Sequence, residues 1–419
     1  MVRWEINPQI KRLIKIIGKQ CADWGINAYL VGGSVRDLFL GKSNIDLDIV
    51  LDKDVGIIII HLAKIFSARY VYHPQFKTAK LFLENISIDM ATAREEIYYS
   101  IGSLPQVRIS SEIERDLFRR DFTINAMAIR ISKGGLSDLI DPYNGLEDLR
   151  KRRIRVLHKK SFLDDPTRII RAIRFSTRFD FSLEENTLIW LKEAVCRDVF
   201  SRISPVRLGN EIVRLLQEKN PLKAIEQLRQ LCSLKIIHPQ IRFNRKWRKY
   251  FPQIPRWSRD FGRETSQSVE EWLIYFIFLT EKLNKEALQR LCLSYELEKH
   301  KRLLVLHALK LRKIEKIGFL HYKNSELFNL LKPISPESII YLIIRVKGKL
   351  LKKKLFEFLV RFFKTRLYTD GERLKELGFS PGPIFNKVLE TIFLAKLDGF
   401  VSTKKEEENL IEKKFLSRQ

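Results

Sequence analysis

Cysteine is scarce and scattered: Cys21, Cys196, Cys232 and Cys292 lie far apart in 419 residues, in neither a zinc-ligand spacing nor a disulfide framework. No apolar run reaches about 18 residues, so no membrane-spanning helix is expected. The opening stretch MVRWEINPQIKRLIKIIGKQ is charged throughout and lacks both an uninterrupted apolar core and a small-residue cleavage site, so export is not expected. These three absences predict cytoplasmic residence. Repeats of fixed period and low-complexity linkers are missing too. Acid is in short supply, with 50 Asp and Glu against 77 Lys and Arg, a formal charge of +27. That excess points to a polyanionic partner, nucleic acid first and a membrane surface second. Apolar residues make up 45% of the chain, enough to bury substantial cores in two to four domains.

Residues 32–50, GGSVRDLFLGKSNIDLDIV, carry the most chemistry. Strand side chains alternate, so in DLDIVL Asp46 and Asp48 are expected on one strand face, with Leu47 and Ile49 turned into the core. Two adjacent carboxylates repel each other unless a cation sits between them, and a hard divalent ion such as Mg2+ suits oxygen ligands. A two-metal site activates an attacking oxygen and neutralises a leaving one. Upstream, Gly32 and Gly33 let backbone N–H groups approach a triphosphate, and the helix suggested by VRDLFLG points its positive end at it. Arg36 in that first turn has the guanidinium geometry for bidentate phosphate contact. Taken singly, Gly-Gly is usually a plain turn and Asp-x-Asp usually a solvated strand edge.

Two further motifs follow. In FRRDFTINAMAI, Arg119, Arg120 and Asp121 precede what reads as a short apolar helix carrying Asn125. Arg120 suits a triphosphate, and Asp121 and Asn125 suit a ribose hydroxyl or the backbone. The competing account is a salt-bridged helix start with little energetic weight. In LDDPTRIIRAIRF, helical spacing of 100° per residue brings Asp164, Arg168 and Arg171 to neighbouring positions, with Arg174 farther round. An Asp beside an Arg presents a planar edge that can imitate Watson–Crick pairing. The rival is that Asp165, ahead of Pro166, caps the helix through the amide of Arg168. Which of Asp164 and Asp165 faces a base stays open.

Up to about Tyr143, short β-branched runs mixed with helices read as one α/β domain; beyond DPYNGLEDLR long amphipathic segments read as helical. Residues 341–366 are dense in basic residues with Glu357 as the only acid, which suits either a solvated amphipathic helix pair or an RNA backbone contact.

Together AYLVGGSVRD, TARE, RRDFTINAMAI, DPYNGLEDL, DPTRIIRAIRF and, near the C-terminus, GERLKELGFSPGPIFNKVL resemble the class II tRNA nucleotidyltransferases. These are relatives of poly(A) polymerase in the DNA polymerase beta superfamily. Residues from about 240 to 365 match in helical character only. The resemblance implies an α+β fold: a nucleotidyltransferase (DNA polymerase beta-like) head with a mixed sheet over 1–145, then an all-α neck over 146–235, body over 236–365 and tail over 366–419. It implies untemplated addition of C or A to a tRNA 3′ end from CTP and ATP. By position, Asp46 and Asp48 are the metal ligands, with Mg2+ the implied ion, and Gly33, Arg36 and Arg120 contact the triphosphate. Asp165, Arg168, Arg171 and Arg174 fall where the family reads the nucleotide. The family often has Glu-Asp before the first of these arginines; here Asp164 stands in for the Glu.

Asp89 in SIDMAT is a candidate third carboxylate on a neighbouring strand, or else a partner of Arg94. In the family, enzymes that add only CC commonly have a shortened loop in the head. The segment from Arg94 to Asp116 is of full length, so complete CCA addition or A addition alone is expected, the former slightly favoured. A poly(A) polymerase is disfavoured because the interval between the carboxylate and arginine motifs lacks that enzyme's arginine-rich signature. A non-catalytic RNA-binding protein would not need Asp46 and Asp48 paired. Lys352, Lys353 and Lys354 are the candidate RNA contacts, membranes are not expected as partners, and oligomeric state is not encoded legibly.

Overall fold

The alternating runs of the first 140 residues become a seven-stranded mixed sheet in the computed structural model, which describes residues 6–43, 46–314, 318 and 320–416. Residues 1–5 of the N-terminal segment, Asn44 and Ile45 of the carboxylate motif, and the last three residues of the expected tail lie outside the described residues. The strands are β1 (Ala28–Val31), β2 (Leu47–Leu51), β3 (Arg69–His73), β4 (Thr78–Phe82), β5 (Ser87–Thr92), β8 (Ala128–Ser132) and β9 (Gly135–Ile140), in spatial order β3-β4-β5-β2-β1-β8-β9. A separate hairpin pairs β6 (Arg94–Ile97) with β7 (Gln106–Ile109). Within the seven-stranded sheet, among the described residues, only the β2–β5 pair is parallel, and it places Asp48 directly opposite Asp89. Helices α1 (Pro8–Asp23), α2 (Gly33–Phe39) and α3 (Gly56–Ile65) accompany the sheet, and Ile14, Ile17, Leu30, Leu47, Ile49, Leu62 and Ile129 share one buried core.

The expectation of a helix through NAMAIRI is corrected. Thr123–Asn125 is a single 3-10 turn, and Ala128–Ser132 is strand β8. β8 has Ile129 and Ile131 in one core, while its other face runs from buried Ala128 to exposed Arg130. Residues 121–129, leading into the strand, are buried without a break, and a short continuous apolar run cannot be told from a helix by periodicity.

The chain divides into two compact units, Met1–Ile236 and Ile237–Gln419. After the sheet the first unit continues through α4 (Ile113–Phe118), α5 (Gly145–Arg150), α6 (Ser161–Asp164), α7 (Thr167–Phe179), α8 (Glu185–Cys196), α9 (Pro205–Leu216) and α10 (Pro221–Cys232). Pro166 decides the break between α6 and α7. The residue before a proline is pushed out of the helical region, and Asp165 accordingly has φ −135° and ψ 96°. Asp164 and Arg168 are therefore not on one helix, and the 100° projection that made Asp164, Arg168 and Arg171 a set does not carry across the break.

The second unit is helical throughout its described elements: α11 (Trp247–Tyr250), α12 (Ile254–Thr265), α13 (Glu271–Thr280), α14 (Lys285–Ser294), α15 (Lys299–Ile314), α16 (Asn324–Leu331), α17 (Pro336–Arg345), α18 (Lys349–Lys364), α19 (Gly371–Glu376), α20 (Pro383–Asp398) and α21 (Lys404–Ile411). Its most apolar helix, α13, is buried from Trp272 to Thr280. Among the described residues no single helix is long and apolar enough to cross a membrane.

Candidate active site

The carboxylate face is built by the first turn of α2 and by β2. Ser34, 2% exposed, donates its hydroxyl to the Asp46 carbonyl at 2.5 Å and accepts the Asp48 amide at 3.0 Å. One serine thus holds the backbone on both sides of Leu47. Asp48 lies within β2 and Asp46 immediately precedes it; burial alternates as expected there, with Asp46 exposed and Asp48 half-buried while Leu47 and Ile49 are buried. Burial pushes the Asp48 carboxyl up, and the neighbouring charges of Asp89 and Asp46 push it further, against the pull of Arg120. Asp89 does not pair with Arg94: it accepts from Lys80 at 2.9 Å, whereas Arg94 pairs with Glu96 at 3.2 Å. Among the described residues no three His, Cys, Asp or Glu side chains gather as a ready-made metal cage. The donor chemistry nevertheless suits a hard divalent cation, because these oxygens repel each other and a positive charge relieves the repulsion that raises Asp48.

On the other side of Arg119 and Arg120 a cavity of about 450 Å³ opens between the sheet, the 94–109 hairpin and α7. Gly32 forms its rim at φ +65°, and a Cβ there would lie 2.6 Å from Nη1 of Arg120, so only glycine fits. Arg120 and Arg119 both pair at 2.8 Å with Asp116, which is buried. Burial opposes ionisation of Asp116, but the two guanidiniums outweigh it and hold the carboxyl below the usual range. Arg36 is buried and already engaged, donating to Asn125 and Asp37 and lying 4.7 Å from the ring centroid of Phe179. Asp121 and Asn125 face inward: Asp121 accepts from Asn125 and from Arg171, whose Nε lies 2.9 Å away. Burial works against the charge on Asp121, yet Arg171 and Asn125 keep it ionised below the usual range.

Deeper in, Arg168 is 4% exposed; its Nη2 donates to the Arg119 carbonyl at 2.8 Å, while its Nη1 is buried without a partner. Buried donors are normally satisfied, and this one is sealed from solvent beside the cavity that Arg168 lines. Asp165 lines this cavity and Asp164 does not. The Asp165 carboxylate also closes the start of α7, accepting from the Thr167 amide at 3.0 Å and the Thr167 hydroxyl at 2.6 Å. The capping partner is therefore Thr167 and not Arg168, whose amide goes to the Asp165 carbonyl. Asp164 sits 3.8 Å from His158, with burial raising its carboxyl. Arg174, expected farther round, does line the cavity, anchored to Glu211 at 3.0 Å.

Several participants escaped the sequence reading. Tyr98 stands 5.9 Å above Arg168 and donates to Glu96; Arg207 donates to Asp165 at 2.8 Å and to the Gly102 carbonyl at 2.7 Å. Glu211 gathers Arg171, Arg174 and Arg214. A signal existed for Glu211, which falls on the apolar stripe of α9 with Leu208, Ile212 and Leu215. A charge on a buried stripe needs partners. In the second unit the three candidate lysines part company. Lys352 is half-buried, donates to Gln253 and to the Ile344 carbonyl, and has its ammonium pKa lowered by burial. Lys353 is exposed, 3.7 Å from Glu357. Lys354 lines a separate cavity of about 1010 Å³ with Arg361, Lys364 and Arg366.

Comparison with known proteins gives this geometry its lineage. Residues 28–155 match the family model described as the poly A polymerase head domain, and residues 180–244 the one described as a probable RNA and SrmB- binding site of polymerase A. A solved CCA-adding enzyme in an apo form is 33% identical, with a TM-score of 0.75 over 99% of this chain and 97% of that one. The chain belongs to the class II tRNA nucleotidyltransferase family. Another family member, the Thermotoga maritima CCA-adding enzyme complexed with tRNA, is 33% identical with a TM-score of 0.69, over 98% of this chain and 96% of that one. An A-adding tRNA nucleotidyltransferase of Geobacter sulfurreducens is 30% identical over 409 residues, 94% of this chain but 46% of that protein. The chain spans about half the length of that relative and of two further A-adding relatives.

Proposed function

We propose that this chain is a metal-dependent tRNA nucleotidyltransferase that adds C and/or A to a tRNA 3′ end from CTP and ATP without a nucleic-acid template. The observation that carries the reading is the pairing of two features across Arg119 and Arg120: a mutually repelling carboxylate face at Asp48, and an arginine-lined cavity whose Arg168 Nη1 is buried without a partner. Asp46 and Asp48 would hold Mg2+, which when bound activates the attacking hydroxyl and offsets charge on the leaving pyrophosphate. The chain's own residues do the rest. Gly33 and the start of α2 admit the phosphates, Arg120 answers their charge, and Arg36 braces Asn125 beside them. Asp165 and Arg168 present one acceptor edge and one donor edge to the base, with Arg171 and Arg174 fixing the wall through Asp121 and Glu211. Protein thereby supplies the template.

In this reading 1–145 is the catalytic head, 146–235 the neck that reads the base, 236–365 a basic RNA-binding body and 366–419 a tRNA-binding tail, acting in the cytoplasm. Complete CCA addition is slightly preferred, supported by the full-length β6–β7 hairpin and by CCA-adding relatives of matching length. A addition alone is the second reading, favoured by the A-adding relatives. The test is to give the protein tRNAs ending before CCA, after C and after CC, with CTP and ATP separately, and to read the 3′ ends. Extension of all three in turn is expected. Extension only of the CC-ending tRNA, with ATP, reassigns the protein as A-specific; no extension of any overturns the proposal.

A further inference from the structure

Asp165 lines one cavity with Arg168 and Arg171, yet among the described residues no ion pair joins its carboxylate to either arginine. A carboxylate beside two guanidiniums would ordinarily close on one of them. What holds it off is Arg207, in the first turn of α9, whose Nη2 donates to Oδ1 of Asp165 at 2.8 Å. Arg207 is itself anchored. Its Nη1 donates at 2.7 Å to the carbonyl of Gly102, in the turn between β6 and β7, and the Gly102 amide donates to the Leu163 carbonyl at 3.0 Å. That turn is seated closely, since a Cβ on Gly102 would lie 2.9 Å from the Arg202 carbonyl oxygen. The planar fork of Arg207 thus has one prong on fixed backbone and the other on the carboxylate.

We propose that Arg207 is a positioning residue for nucleotide choice: it keeps the Asp165 carboxylate from collapsing onto Arg168 and Arg171, and so leaves one oxygen open to the exocyclic amine of cytosine or adenine. The inference rests on the base-reading role proposed for Asp165 and adds the residue that makes that role available. Every hydrogen bond the carboxylate accepts falls on Oδ1, from the Thr167 amide, the Thr167 hydroxyl and Arg207. Among the described residues Oδ2 accepts none. The two Thr167 donors belong to one residue and leave the carboxylate a pivot; Arg207, from another helix, supplies the second fixed point. The opposing pull is present in the cavity, because the charge of Arg171 is stabilised first by Asp121 and in smaller part by Asp165. A free carboxylate oxygen accepts from an amine and repels the carbonyl that guanine and uracil carry at the same place.

The test uses the full chain and compares each amine-bearing nucleotide with an analogue that lacks only the amine. ATP is set against purine riboside triphosphate on a tRNA ending in CC, and CTP against zebularine triphosphate on a tRNA lacking CCA. Arg207→Met should lower the preference for the amine-bearing nucleotide about tenfold, through slower use of ATP or CTP, while the analogues and the KM for tRNA stay as in wild type. Arg207→Lys, which keeps a cation for Asp165, should restore most of the preference. Gly102→Ala leaves Arg207 in place but displaces its anchor, and should lower the preference about threefold. Equal losses for nucleotide and analogue in Arg207→Met, the mark of a merely structural residue, overturn the assignment, as does a wild-type preference. Should that variant fail to fold, an unchanged preference in Gly102→Ala overturns it instead. Any of these results with an active wild-type protein sinks this inference alone; wild-type protein that extends neither tRNA sinks the transferase reading beneath it.

Discussion

Around the arginine pocket each of seven guanidiniums touches an acid, a carbonyl or a ring, whereas along α18 Lys353 stands 74% exposed and Lys354 opens onto a broad cavity. Both regions are strongly basic in sequence. What separates them is the number of partners that fix each charge: Asp116 holds two arginines, Glu211 holds three, and Asp121 holds Arg171. Fixed, planar donors suit a small ligand whose atoms must be met one by one. Exposed lysines suit a polyanion recognised by charge and shape. Density of charge therefore says less about function than how tightly the charge is held.

The largest effect that would break this comparison lies at the carboxylate face. Asp48→Ala is expected to lower single-turnover nucleotide incorporation by about three orders of magnitude or more, with the circular dichroism spectrum unchanged. Next comes the pinning itself. Arg171→Met leaves Asp121 buried without its cation, and unfolding in urea should show a loss of about 3 kcal/mol. A much smaller loss would mean that the pocket's ion pairs are ornamental.

A third expectation concerns pH. His158 stacks on Phe118 with ring centroids 5.0 Å apart, and burial, with Arg168 and Lys160 nearby, lowers its pKa to about 4. The unfolded chain, with a histidine near 6.5, binds more protons between those values, so the contribution is full above about pH 6.5 and is lost as pH falls toward 4. The ring is 26% exposed, so screening reduces the effect to about 1–2 kcal/mol. His158→Phe should flatten the slope of melting temperature against pH in that window. The smallest effect is expected on α18: Lys353→Glu with Lys354→Glu should weaken tRNA binding a few-fold and lower the slope of log K against log salt by about one per charge removed. Lys352→Glu should instead lower stability, since its ammonium is bonded to Gln253 and Ile344.

How much of this was legible depends on whether the signal is local. The turn at Gly32, the helix from Gly33 and the strand at Leu47–Leu51 follow from alternation and a glycine pair. The break at Asp165 is also in the sequence, because Pro166 disfavours a helical Asp165, and helical spacing therefore holds only on the far side of the proline. Strand β8 was not legible, since it continues an unbroken buried run, residues 121–129, that shows no period of two. Nor could spacing reveal that Arg207 reaches Gly102, 105 residues away in the chain, or that Lys352 turns back onto Gln253. Such contacts are set by packing between elements, which a single sequence does not print.

The central claim is that chemistry resides at the Asp48 face and nucleotide choice in the Arg168 pocket. Rapid-quench extension of a tRNA ending in CC, with ATP, CTP, GTP and UTP each in turn, tests it in Asp48→Ala and Arg168→Ala. The account predicts that Asp48→Ala slows every nucleotide by the same factor, while Arg168→Ala narrows the preference among nucleotides with tRNA affinity retained. An unchanged nucleotide profile in Arg168→Ala, or wild-type turnover in Asp48→Ala, would contradict it.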